Sequence, residues 1–238
     1  MTDISQDIAL NYQEVMEHIA AAQKSSPQAA KQVQLVAVSK TVPVENIRHI
    51  IDAGATDLGE NRVQELLEKY DHLPQQIRWH LIGHLQTNKV KYIVDKVTMI
   101  HSLDRLELAK EIEKRAANIN RVIPCLLQVN IGEDDNKFGM AAEDTLDFCK
   151  AMADYPHIQV RGLMTIGPLV DREEMRPIFR ALRELRDDLA KKVANLGLNH
   201  IIMQELSMGM SNDYDIAVEE GATMVRVGSK LFGARIYR

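Results

Sequence analysis

Short runs rich in β-branched residues alternate with helical apolar stripes along the whole chain, and no other feature limits the fold as strongly. The clearest run is Leu35-Val36-Ala37-Val38-Ser39-Lys40, which is continuously apolar up to its end rather than alternating. That is the pattern of a strand buried on both faces, as in a parallel sheet. Thr41-Val42-Pro43 follows, with Pro43 suited to the first turn of a helix marked by Val44, Ile47 and Ile51 and closed by Gly54. Further strands are predicted over 56–59, 77–82, 98–101, 123–129, 158–164, 201–206 and 223–227. Between them lie helical segments: one running to Tyr70, one from Thr87, one opened by an apparent capping box at Asp104-Arg105-Leu106-Glu107, one striped by Leu182, Leu185 and Leu189, and one over 212–220. Ile8, Tyr12, Val15, Ile19 and Ala22 make an earlier stripe that Ser25-Ser26-Pro27 ends, so an extra helix precedes the first strand.

Eight strands separated by helices, with no break in composition, favour a single (β/α)8 TIM barrel over residues 1–238 rather than a doubly wound sheet. Residues 1–32 are then an N-terminal helical piece packed on the barrel. Gly54-Ala55-Thr56 and Gly221-Ala222-Thr223 echo each other at two helix-to-strand junctions, as repeated βα units would. A net charge of −5 argues against a general nucleic-acid-binding surface. No apolar run approaches membrane-spanning length, and Met1 to Asp7 lacks the regions of a signal peptide. Cys125 and Cys149 have no metal-type spacing and read as buried thiols of a reducing compartment; the expected location is cytoplasmic.

In such a barrel the carboxyl ends of all strands meet on one face, where function resides. Lys40 stands at the end of the first strand, where partial burial would free its amine as a nucleophile; a lysine reaching into water is the plainer reading. Gly209 and Ser211 follow the seventh strand, and Gly228 and Ser229 the eighth, the usual place for a phosphate in this architecture. Glycines let backbone N–H groups approach an anion, and Ser211 is placed to cap a helix, although capping alone or a tight turn would also account for these residues. Arg226 points opposite to Val225 and Val227, into the barrel, and needs an acceptor there: a buried carboxylate, a ligand phosphate or a ring nitrogen. His80 and His84 straddle a strand end, a poor zinc arrangement, and Asp134-Asp135-Asn136-Lys137 lacks the glutamate a calcium loop requires. No metal site is expected.

Several segments together resemble a known family. They are 35–40, Gly59-Glu60-Asn61-Arg62-Val63-Gln64-Glu65, Trp79-His80-Leu81-Ile82-Gly83-His84-Leu85-Gln86-Thr87-Asn88-Lys89, Gly162-Leu163-Met164-Thr165-Ile166, Leu206-Ser207-Met208-Gly209-Met210-Ser211, and Val225-Arg226-Val227-Gly228-Ser229 with Phe232-Gly233-Ala234-Arg235. In this order, and over almost the whole chain, they resemble the YggS/PROSC group of pyridoxal-phosphate homeostasis proteins. The resemblance implies a fold-type III barrel like the N-terminal domain of alanine racemase, with pyridoxal 5'-phosphate held as a Schiff base to Lys40. It further implies that Asn61 neighbours the cofactor ring, that Arg226 faces the pyridine nitrogen, and that Ser211, Gly228 and Ser229 hold the phosphate. Serine at 229 stands where the family often has threonine and keeps the hydroxyl. Ser207 would lie one layer further out, and Lys137 matches a loop lysine used in handling the cofactor.

A guanidinium beside the pyridine nitrogen opposes its protonation, which leaves a weak electron sink. The chain also ends soon after its eighth strand, without a second domain to bring the opposite-face acid or base that a racemase needs. The expected function is therefore binding, buffering and delivery of the cofactor without substantial turnover, by a monomer, with cofactor-dependent apo-enzymes as recipients. An amino-acid racemase is the first alternative. A cofactor-free aldolase with a lysine imine and a sugar-phosphate site is the second.

Overall fold

The apolar run at 35–38 is preceded, as its flanking sequence predicts, by a long amphipathic helix: Ile4–Ser25 (α1) buries Ile8, Val15, Ile19 and Ala22 along one stripe. The run itself forms Gln34–Val38 (β1), whose last four residues are buried. In the computed structural model, which describes residues 4–132, 138–168 and 170–233, the chain then alternates strand and helix as far as Phe232. Val44–Asp52 (α2), Asp57–Glu60 (β2), Val63–Tyr70 (α3), Arg78–Leu81 (β3) and Val97–Leu103 (β4) follow, with a 3₁₀ segment at Thr87–Tyr92 where an α-helix was expected. Next come Leu106–Asn118 (α4), Ile123–Gln128 (β5), Thr145–Ala151 (α5), Ile158–Met164 (β6) and Met175–Asn195 (α6). Ile201–Ser207 (β7), Tyr214–Glu219 (α7), Met224–Val227 (β8) and the short Ser229–Phe232 (α8) complete the series.

Among the described residues these eight strands close into one parallel barrel in chain order, β8 pairing with β1 through Leu35 opposite Val225 and Val36 opposite Arg226. Strand alternation divides the side chains. Leu58, Ile100, Leu127, Leu163, Leu206 and Val225 turn outward into one large apolar core shared with helix residues such as Leu66, Ile112 and Phe179. Residues of the opposite parity turn inward, where Met99, Leu126, Met164 and Met224 form a small separate cluster. Helix α1 packs against α2, α7 and α8. Both cysteines are buried and unpaired, as expected, and burial pushes the Cys149 thiol up to about 12.

One local expectation gives way. No side chain caps α4: Arg105 occupies the N-cap, and Asp104 instead accepts from the Arg105 guanidinium at 2.6 Å. The expected face of α2 holds: Ile47 is buried and Val44 and Ile51 pack against the core, with Ile50 buried beside them. Among the described residues no helix is long and apolar enough to cross a membrane.

Candidate functional site

On the face where the strands end, a cavity of about 870 Å³ is lined by Lys40, Asn61, Ser211, Arg226, Gly228 and Ser229, the six positions singled out from sequence. Lys40 lies just past β1 with the parity of Val38, and both line the cavity. Asn61 follows β2 and lies against Gly83. A Cβ on residue 83 would stand 2.4 Å from the Asn61 carbonyl oxygen and 2.7 Å from its Cα, so only glycine lets these two turns meet. Helix α1 reaches the same cavity: His18 Nδ1 and the Tyr214 hydroxyl stand 2.9 Å apart on its wall. Burial pushes the Tyr214 phenol up to about 12.

The turn after β7 depends on Gly209, whose φ of +87° is left-handed and whose Cβ would lie 2.5 Å from that of Ala217. Ser211 does not cap the helix that follows. Its hydroxyl accepts from the Gly228 N–H at 3.1 Å, tying the β7 turn to the β8 turn, while the Asp213 carboxylate accepts from the Met210 N–H at 2.6 Å. The cavity thus has a small hydroxyl and amide wall made of two adjacent turns. Ser229 is its exposed member and Gly228 its buried one.

Arg226 is 4% exposed. Its Nη1 donates to the Ser207 hydroxyl at 2.6 Å and its Nη2 to the Thr165 carbonyl at 2.8 Å. Both acceptors are neutral, so among the described residues the buried ion pair weighed from sequence does not form. Burial lowers the guanidinium to about 10, partly opposed by the Asp213 carboxylate, and it remains a cation at neutral pH.

Behind Arg226 runs a chain of hydrogen bonds that sequence reasoning did not find. Ser207 Oγ stands 2.9 Å from His101 Nδ1, His101 Nε2 stands 2.9 Å from His80 Nδ1, and His80 Nε2 stands 2.9 Å from Asp57 Oδ1. Asp57 also accepts from Arg78 at 2.6 Å and from Gln34 at 2.6 Å, on the opposite face of the barrel. The two ends fix their own bonds, since a guanidinium only donates and a carboxylate only accepts. His80 donates from Nε2 to Asp57 and Ser207 accepts from Arg226, while a neutral His101, with one ring N–H, donates to one of its two neighbours and accepts from the other. Burial, with the neighbouring His80 and Arg226, holds His101 well below the usual histidine range, so this ring is neutral. The only sequence signal for it was inward parity at 57, 80, 101, 207 and 226.

His80 lies within β3 and His84 beyond its end. His80 joins the interior chain, whereas His84 stacks on Phe138 with ring centroids 3.9 Å apart. Among the described residues no group of His, Cys, Asp and Glu side chains is placed to hold a metal ion. Lys137 and the rest of 133–137 lie outside the described residues.

The protein is thus a parallel barrel that brings a hydroxyl and amide wall after β7 and β8, an inward arginine and a lysine to one cavity. The family profile described as "Alanine racemase, N-terminal domain" matches residues 5–236. A pyridoxal phosphate homeostasis protein of Aquifex aeolicus is 47% identical over 225 residues, covering 94% of this chain and 96% of the relative. One from Pseudomonas aeruginosa is 40% identical over 97% of this chain and 96% of its own length. The solved structure of PipY from Synechococcus elongatus PCC7942 with PLP bound superposes with a TM-score of 0.82 at 34% identity, covering 95% of this chain and all of that one. The chain belongs to the pyridoxal phosphate homeostasis protein family, within the broader alanine racemase N-terminal domain group.

Proposed function

We propose that this chain binds pyridoxal phosphate in the cavity at the strand ends and serves its intracellular homeostasis by holding and delivering it. The carrying observation is that one cavity joins an amine, Lys40, to a buried cation, Arg226, and to the Ser211, Gly228 and Ser229 wall. These donors suit the cofactor. When bound, it supplies an aldehyde that an amine captures reversibly and a ring that accepts electrons. Lys40 is the capturing nucleophile. Ser211, Ser229 and the amide of Gly228 meet the phosphate, and Asn61 flanks the ring. Arg226, held by Ser207 and the Thr165 carbonyl, presents its charge to the ring nitrogen and keeps a proton off it. A ring so held is a poor sink for carbanion electrons, which favours storage over turnover. The homeostasis names of the relatives support this reading over an amino-acid racemase. Cofactor-dependent apo-enzymes are the proposed recipients, and a cytoplasmic monomer is the proposed form.

An absorbance spectrum and intact mass before and after borohydride, for the wild type and Lys40→Ala loaded with pyridoxal phosphate, test the assignment. A visible band bleached by borohydride, with cofactor mass fixed on Lys40 and missing from the variant, is the expected result. A wild-type chain that takes up no cofactor would overturn it.

A further inference from the structure

We infer that Glu60, Glu65 and Lys69 form a positioning clamp that grips the chain on both sides of Lys40 and so sets where its amine stands in the cavity. The inference rests on Lys40 being the capturing amine. Ser39, facing away from the cavity, donates its hydroxyl to Glu60 Oε1 at 2.7 Å, and its carbonyl accepts from Lys69 Nζ at 2.7 Å. On the other side the Thr41 N–H donates to Glu65 Oε2 at 2.7 Å. Lys69 joins the two grips, standing 2.7 Å from Glu60 and 3.6 Å from Glu65. All three clamp residues come from the adjoining β2–α3 unit, so the amine on one strand is anchored to its neighbour.

Two costs mark this arrangement as more than filler. Thr41 has φ +62°, a left-handed conformation that a β-branched residue adopts only where its surroundings impose it. The Glu65 carboxylate accepts from the N–H of this strained residue. Beneath the turn, Glu60 and Lys69 form a buried ion pair, which seldom outdoes well-packed apolar side chains in stability. Among the described residues Glu60 Oε2 has no hydrogen-bond partner, and burial raises its carboxyl above the usual range despite Lys69. Apolar residues would fill this space at less cost, but they would not hold the Ser39 carbonyl, the Ser39 hydroxyl and the Thr41 amide at three fixed points. For reversible capture, a displaced amine loses rate steeply.

Glu65 is the residue to change, since it is the clamp's outer member and its loss leaves the Glu60–Lys69 pair intact. Glu65→Ala and Glu65→Met, the second keeping the volume, would be compared with Glu65→Gln, which retains an oxygen acceptor for the Thr41 N–H. Capture of added pyridoxal phosphate is followed by the growth of the visible band, and Lys40 reactivity in cofactor-free protein by competitive acetylation across pH, both well below the unfolding temperature. The Ala and Met variants are expected to capture the cofactor about tenfold more slowly and to shift the Lys40 acetylation profile, with Gln within about threefold of wild type. Wild-type capture and acetylation in Ala or Met, with only the melting temperature lowered, would overturn the clamp. If the wild type itself fixes no cofactor on Lys40, the functional assignment falls instead, so the two failures are distinguishable.

Discussion

The inside of the barrel and the shell between barrel and helices are built from the same strands, one residue apart, yet they obey different rules. The shell is apolar almost throughout, with Leu58, Ile100, Leu163, Leu206 and Val225 packed on helix side chains. The interior holds a thin apolar layer, Met99, Leu126, Met164 and Met224, and beside it a polar chain from Arg226 to Asp57. Burial in the shell is non-directional, and residues of similar shape can replace one another. Burial in the interior is directional, because each polar group there has donors or acceptors to place and any mismatch strands a neighbour. The shell therefore provides most of the stability, and the interior determines what the cavity presents.

The largest effect that would break this contrast is in the shell. Phe179→Ala is expected to cost roughly 3–5 kcal/mol in denaturant unfolding while leaving the cofactor affinity of the folded chain unchanged. A comparable loss of affinity would show that shell and interior are not separable. Next is Asp57, the carboxylate end of the interior chain. Its bonds to Arg78, His80 and Thr56 outweigh the effect of burial and hold its carboxyl well below the usual range. The folded value is depressed, so its contribution is fully present above the unfolded carboxylate value near ~4 and is lost as pH falls toward the folded one. Asp57→Asn should lower stability at neutral pH by about 3 kcal/mol and flatten the acid limb of a melting-temperature profile. An unaltered acid limb would mean that other carboxylates set it.

Smaller, and confined to the interior, is His101→Leu. It strands the Ser207 hydroxyl and frees Arg226 to reorient, with an expected cost of about 1–3 kcal/mol in stability and a weaker grip on pyridoxal phosphate, read by equilibrium titration. Unchanged affinity would reduce the chain to packing. The smallest effect is a null one in the shell: Cys125 and Cys149, buried with raised thiol pKa values, should resist thiol reagents in the native protein and react only on unfolding.

Much of this molecule follows from local pattern. The continuous apolar run before Lys40 and the stripe of α1 lie where their periodicities put them, because side-chain period is a property of neighbouring residues. Once the strands are known to form a barrel, fold geometry alone brings their carboxyl ends together, and so Lys40, Asn61, Ser211, Arg226, Gly228 and Ser229 meet at one cavity. Where the pattern was ambiguous, tertiary contacts decided. Arg105, on the N-cap of α4, reaches the Leu85 carbonyl, and Ser211 accepts from Gly228 instead of capping the helix after it. The partners of Arg226 and the donor–acceptor chain behind it were beyond sequence reasoning. His101 and Ser207 are 106 residues apart and touch only because barrel closure and strand stagger set their heights alike. The amino-acid pattern by itself determined which residues face inward at the strand ends; the closed barrel determined which of them bond to each other, because hydrogen bonds need a distance and a direction that no local period contains.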